Sequence, residues 1–295
     1  MKRAQHSEIA GLPKNSLAYD TWKRLLSNKA AVFGGVVMIL LILMAIFADF
    51  LYDYDTQVIA QNIPDRLIKP CLEHPFGTDE FGRDLLARIV HGSRMSLIVS
   101  FSSVAMSLIV GGLLGAISGY FGGKIDNWIM RITDILLAIP MTLFAIVIVA
   151  ALGASTINLA IALAASSVPI FARIVRGAVL TVRDVEYIEA ARAIGANNRT
   201  IICRHIIPNC MSPIIVQVTL RIATAIYNTS ALSFLGMGVQ APAPEWGGLL
   251  ANGRTYIQND SYLSIIPGLA IMLTVLALNL LGDGLRDALD PRLKK

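Results

Sequence analysis

Long apolar runs alternate with short polar connections along most of this chain, and that spacing predicts membrane helices rather than a soluble core. Six runs reach about the 20 residues needed to cross a hydrocarbon layer of roughly 30 Å: residues 30–51, 95–120, 128–152, 157–174, 211–235 and 263–281. The fourth is short and contains Ser166, Ser167 and Pro169, while the fifth is more polar, with Arg221, Asn228 and Thr229. The first begins at Ala30 and runs unbroken to Ala48, too long for a signal-peptide core, so it is expected to stay in place as a signal anchor.

The connections set the orientation. Residues 1–29 hold Lys2, Arg3, Lys14, Lys23, Arg24 and Lys29; the connection between runs four and five holds Arg173, Arg176, Arg183, Arg192, Arg199 and Arg204; the tail holds Arg286, Arg292, Lys294 and Lys295. An even number of spans puts all three on one side, and the positive-inside bias makes that side cytoplasmic. The expected layout is a cytoplasmic segment 1–29, a transmembrane domain 30–285 and a cytoplasmic tail 286–295, with outer loops 52–94 and 236–262 and a cytoplasmic loop 175–210.

Both outer loops have readable features. Over 76–92 a turn-rich start leads into Leu85, Leu86, Ile89 and Val90 on one helical face, with Asp84 and Arg88 at i,i+4 on another, which predicts a helix lying on the outer interface. Residues 236–248 are rich in turn formers and place Trp246 at an interface.

Composition agrees with a polytopic membrane protein: 55% hydrophobic, 15% charged, mean hydropathy +0.63. The net charge of +5 is spread in clusters between apolar runs, not gathered in one patch, so nucleic acid is not an expected partner. Cys71, Cys203 and Cys210 form no disulfide framework or metal spacing, and His6, His74, His91 and His205 are scattered, so no metal or other cofactor is expected. No phosphate-binding G-x-x-x-x-G-K-[ST] run, nucleophile elbow or zinc-protease pattern occurs, so catalysis and ATP binding are not expected of this chain itself. Neither a 20–50-residue repeat nor an inverted duplication is visible, which disfavours a stand-alone secondary transporter.

The most informative polar stretch is 186–208. Ile188, Ala191 and Ile194 are expected to share the apolar face of a short helix, with Gly195 ending it, Asn197 capping the next and Pro208 marking the turn into the fifth run. Ala190, Ala191, Ala193 and Gly195 are small enough for a partner to approach the backbone closely, with Glu189 fixing orientation; an amphipathic hairpin on lipid headgroups is the other reading.

Glu189-Ala190-Ala191, then Gly195, then His205-Ile206-Ile207-Pro208 resembles the cytoplasmic "EAA" loop of ABC importer permeases, although the usual ending there is Ile-x-Leu-Pro. Three further stretches resemble the second permease type of the dipeptide/oligopeptide/nickel group. They are Phe76-Gly-Thr-Asp-Glu-Phe-Gly-Arg-Asp-Leu-Leu86, Leu232-Ser-Phe-Leu-Gly-Met-Gly-Val-Gln240 and Asn279-Leu-Leu-Gly-Asp-Gly-Leu-Arg-Asp-Ala-Leu-Asp-Pro291. Together the similarity covers about 29–293, leaving 1–28 and 52–72 outside it.

The resemblance implies an all-α, six-span permease of the type I importer fold, multi-pass in the bacterial or archaeal cytoplasmic membrane. Its partners would be a second, homologous permease, two ATPase subunits docked on the EAA loop through Glu189, Ala190, Ala191, Gly195, His205 and Pro208, and an extracytoplasmic substrate-binding protein. The implied cargo is a di- or oligopeptide, with nickel or glutathione as the alternative.

Inside the fifth run Arg221 is costly near a bilayer centre and is expected to face a cavity or partner, either contacting a peptide carboxylate on the path or pairing with an acid of the second permease. The resembling permeases tend to carry a small residue at 221 and an acidic one at 229, where this chain has Thr229, the other candidate for the path. Pro140 and Pro169 are candidate kinks, and Thr133 and Asp134 candidate interface residues.

Overall fold

The computed structural model describes residues 17–290; Lys2, Arg3, Lys14, Arg292, Lys294 and Lys295, used above to set orientation, and Pro291 lie outside the described residues. Among those described, extended pairing is confined to one bridge between Thr78 and Asp84, and helices make up the rest of the architecture.

A short helix, α1 (Leu17–Ser27), turns at Asn28 into α2 (Lys29–Ile46). The Asn28 side chain accepts from the amides of Ala30 and Ala31 at 3.1 and 3.2 Å, satisfying donors that the first turn leaves free. Phe47 interrupts the run, and α3 (Ala48–Leu51) completes it. There follow α4 (Leu85–Phe121), α5 (Gly123–Ala138), α6 (Met141–Leu152), α7 (Thr156–Val182), α8 (Glu186–Ala193), α9 (Asn198–Thr200), α10 (Met211–Phe234), α11 (Trp246–Gly253) and α12 (Tyr262–Leu289).

Five stretches are long and apolar enough to span: α2, α4, α7, the run Asn198–Phe234 and α12. The expected third span is not a straight helix. α5 and α6 make a sixth crossing only as a pair, bent by 89°. The cause is Pro140, which has no N–H to donate and holds Ile139 in extended backbone (φ −87°, ψ 126°). Pro169, by contrast, is buried within α7 and does not end it.

The helix expected on the outer interface is also corrected. Residues 85–92 are the first turns of the 37-residue α4 itself. Leu85 and Ile89 are buried against Trp246, Leu249 and Leu263, so their apolar face meets protein and not lipid. Asp84 caps α4 by accepting from Ala87 N at 2.9 Å, while Arg88 turns away to donate to the Val58 carbonyl at 2.7 Å. Trp246, fully buried, donates its indole N–H to Ile89 O at 3.0 Å.

α4 and α7 form the tightest pair. Lipid is as apolar as leucine, so helices in a membrane associate through close packing at small residues. Gly111, Gly115 and Gly119 supply that surface: a Cβ on Gly111 would meet Val168 O at 2.5 Å and one on Gly115 would meet Ala172 O at 2.4 Å. The same stripe continues outward as buried Ser107, Ser103, Ser100, Ser96 and Ser93. Four of these hydroxyls donate to carbonyls of their own helix, at 2.6–2.9 Å, which lets polar groups lie inside the bundle. α2, α10 and α12 pack around the pair, with Met38, Leu97, Phe171, Ile226 and Leu278 in one shared core.

Candidate functional site

The connection from α7 to α10 folds against the end of the bundle formed by the last turns of α4 and α7 and the first of α10. Helix α8 buries two side chains, Ile188 (0% exposed) and Ala191 (7%). They join Ala116 and Tyr120 of α4, Val175 and Val179 of α7, and Ile201, Ile206, Cys210 and Ile214 farther along the chain. The rest of α8 faces outward: Glu189, Ala190, Arg192 and Ala193 are exposed, as is Gly195 beyond it.

Gly195 ends α8 as expected. Its φ is +85°, a left-handed conformation that glycine adopts without steric cost. Gly195 N bonds Arg192 O at 2.9 Å and Ala196 N bonds Ala191 O at 3.0 Å, the paired closing bonds of a Schellman motif. Asn197 caps α9, accepting from Thr200 N at 2.7 Å. One expectation fails: Ile194 does not share the face of Ile188 and Ala191. It is the C-cap residue (φ −83°, ψ 6°), leaves the helical register there and is 86% exposed.

Pro208 is corrected as well. It does not mark a turn between two separate helices, because α9 continues through a wide helical turn at Ile201–Ile206 and a tight one at Ile207–Cys210 directly into α10. Pro208 occupies the start of the tight turn, where its missing N–H costs nothing. It is exposed, whereas His205 is half-buried and its carbonyl accepts from Asn209 Nδ2 at 2.6 Å.

Contacts that the sequence did not announce tie this element to the bundle. Tyr120, at the end of α4, donates its hydroxyl to Asn198 Oδ1 at 2.8 Å, and the Arg192 guanidinium lies 5.3 Å from its ring centroid. Arg176 of α7 grips Asp126 of α5 with two bonds at 2.5 and 2.6 Å, and Ser118 of α4 donates to the same carboxylate. Arg183 donates to Gly119 O at 3.0 Å, and its bonds to Asp184 hold that carboxyl below the usual carboxylate range. No sequence spacing could have announced partners separated by 50 and 78 positions.

The two candidates for a path are in different surroundings. Arg221 is half-buried on α10, with no hydrogen bond or ion pair among the described residues. Thr229 is fully buried between α10 and α4, its hydroxyl 3.4 Å from that of Ser100, so within this chain it joins two helices and lines no opening. Of the expected interface residues, Thr133 is buried and Asp134 is exposed, paired with Arg173 at 2.6 Å. No group of three or more His, Cys, Asp or Glu side chains among the described residues is placed to hold a metal.

Comparison with known proteins places this geometry. Residues 111–295 match the family of binding-protein-dependent transport system inner membrane components. Residues 16–70 match the N-terminal TM domain of oligopeptide transport permease C, so similarity reaches into both segments expected to lie outside it. The chain is 50% identical to the dipeptide transport system permease protein DppC of Alkalihalophilus pseudofirmus, over 93% of this chain and 90% of that one. It is 44% identical to the di/tripeptide transport system permease protein DppC of Pseudomonas aeruginosa, over 99% and 98%. It is also 45% identical to the glutathione transport system permease protein GsiD of Pectobacterium atrosepticum, over 93% and 91%. Among solved structures, an inward-facing MetNI methionine ABC transporter shares the fold, with a TM-score of 0.57 at 19% identity over 69% of this chain and 96% of that one.

Proposed function

The chain belongs to the binding-protein-dependent transport system inner membrane components, and we propose that it is the peptide-carrying permease of an ATP-driven importer, coupled to its ATPase subunits through α8 and Gly195. The observation that carries the reading is the two-sidedness of α8. Its inner face, Ile188 and Ala191, is locked into α4, α7 and α10; its outer face presents Glu189, Ala190, Ala193 and Gly195 with little side chain to obstruct a close neighbour. A helix lying on headgroups would turn its apolar side to lipid; here the apolar side is consumed by the chain's own core. Exposed Ile194 beside the small residues adds an apolar anchor for a partner's groove.

The working assembly is this permease, a second homologous permease, two ATPases under α8 and an outer binding protein, in a multi-pass arrangement with both termini in the cytoplasm. The chain itself performs no catalysis: ATP hydrolysis at the partners moves α8, and the bundle converts that motion to a change in access. Relatives named for dipeptides, di/tripeptides and glutathione favour short peptides as cargo, with glutathione, itself a tripeptide, as the second reading. Arg221, half-buried on α10 and unpaired among the described residues, would face the second permease or the path and meet a peptide carboxylate there; uptake unchanged in Arg221→Ala would remove that role.

The test is a triple variant, Glu189→Arg with Ala190→Leu and Ala193→Leu, on exposed helical positions that leave the buried face intact. We expect it to insert and pair with the second permease, yet to lose ATPase co-purification and peptide uptake together. Retention of both would overturn the coupling role. Competition between Gly-Leu and glutathione for uptake separates the two cargo readings.

A further inference from the structure

At the end of the bundle opposite α8, a cavity of about 230 Å³ with a mixed polar and apolar wall opens between the segment preceding α4, the end of α10 and α11. Its wall contains charged and polar groups that are almost wholly enclosed: Arg83 is 5% exposed, Arg88 3%, Ser233 5% and Glu245 1%. Arg83 Nε donates to Asp79 Oδ2 at 2.7 Å. Arg88 Nε lies 3.4 Å from the same oxygen without forming a hydrogen bond, so two guanidinium groups share one buried carboxylate. Glu80 adds little, standing 3.9 Å from Arg83, and burial pushes its carboxyl above the usual range. The Ser233 hydroxyl likewise has no partner among the described residues. Glu245 accepts from Ser96 Oγ at 2.9 Å and Gly248 N at 3.0 Å, and each carboxylate oxygen keeps a second lone pair.

Buried donors without partners are rare in folded proteins because the missing bond is not recovered from water. Here they line a cavity that also carries a carboxylate. The donor left over at Arg88 Nε and the acceptor lone pairs left over on Glu245 match, in mirror image, the carboxylate and ammonium ends of a free short peptide. The volume lies below the roughly 300–1,000 Å³ of pockets for drug-sized ligands, which limits an occupant to a few residues.

We propose that this outer cavity binds a zwitterionic di- or tripeptide, its terminal carboxylate on Arg88 and Ser233 and its ammonium group toward Glu245, after release by the binding protein and before entry to the path. The site rests on the peptide-importer reading, so binding and uptake are measured separately. Labelled Gly-Leu is titrated into the complete permease–ATPase complex in lipid nanodiscs without the binding protein. Wild type binds it; C-terminally amidated Gly-Leu binds at least tenfold more weakly; Arg88→Gln weakens Gly-Leu at least tenfold and abolishes the distinction from the amide. Because Arg88 also holds Val58, Ala251→Phe serves as a second variant, filling the cavity while leaving the ion cluster untouched, and it too weakens Gly-Leu at least tenfold.

Gly-Leu binding that is absent from wild type, or equal in wild type and Ala251→Phe, overturns the site. If uptake through the binding protein still runs in that case, the importer reading survives; if wild type imports no short peptide, both fall.

Discussion

Replacing Ile188 with alanine isolates the inner face of α8 from its outer one. Ile188 is fully buried, and with Ala191 it supplies all the buried side chains of an eight-residue helix. An isolated helix of that length is not stable in water, so α8 persists because it is packed. Removing the larger of its two anchors costs about 2–4 kcal/mol, from lost burial plus the cavity left among Val175, Val179 and Ile201. That shifts the ratio of docked to undocked α8 by roughly thirty- to several-hundred-fold. The exposed residues are unchanged, so ATPase subunits still bind, but the element they hold is loose on the bundle. In reconstituted complexes, ATP hydrolysis should persist while peptide taken up per ATP hydrolysed falls at least tenfold. If that ratio is unaltered although Ile188→Ala is shown by hydrogen exchange to free α8, force does not pass through the buried face and the argument fails.

Gly115→Leu should abolish assembly of the pair α4–α7, since even a Cβ there lies 2.4 Å from Ala172 O; protease resistance of the membrane-inserted chain reads this, and a wild-type digestion pattern contradicts it. Tyr120→Phe removes the bond to Asn198 while keeping the ring under Arg192, a loss of about 0.5–1.5 kcal/mol; it should lower coupling several-fold less than Ile188→Ala, and an equal or larger defect would reverse the assigned importance of the two contacts. Glu80 has its pKa raised above 4.5, chiefly by burial, so ionising it opposes folding: the penalty is full above the folded pKa and vanishes below 4.5. Glu80→Gln should therefore raise Tm at pH 7 and lose that advantage as the pH falls toward 4.5; a Tm gain independent of pH would assign the effect to something other than ionisation.

Element existence was legible in this sequence because membrane helices must satisfy their backbone internally and so announce themselves as long apolar runs. Their limits were not. Hydropathy ends where polar residues begin, but α4 starts ten residues before 95, since Arg88, His91 and Ser93 find partners inside the protein. The reverse error came at Pro140: hydropathy continues across it, whereas the backbone bends by 89°. The stripe Gly111, Gly115, Gly119, at i,i+4 spacing, is a signal for the α4–α7 contact that hydropathy alone passes over. In the loop, the residue types fixed the turn at Gly195 and the cap at Asn197, both local events. What the loop rests on, Tyr120 and the Arg176–Asp126 grip, depends on contacts across 50 or more positions and has no local signature.

These long-range contacts decide how motion at α8 could reach the other end of the chain. α4 has 37 residues, which at 1.5 Å per residue makes a rod about 55 Å long. Its last turn carries Tyr120, bound to Asn198 and packed on Ile188; its first turn carries Arg88 in the wall of the outer cavity. A helix alone would flex over that distance, but α4 is zipped to α7 at backbone contact through three glycines, and the serines of its stripe satisfy their own hydroxyls where α10 lies against it. Displacing α8 therefore moves α4 and α7 together, because sliding one past the other would drive a carbonyl into a space that has no room even for a methyl group. The bent pair α5–α6 is held differently: Asp126 grips Arg176 near α8, while beyond Pro140 α6 packs Ala145 and Val149 against Leu159 and Leu163. On the proposed coupling through α8, the rod and the bend would respond unequally to one push there, and a difference in movement between neighbouring helices would open a path on one face while closing it on the other.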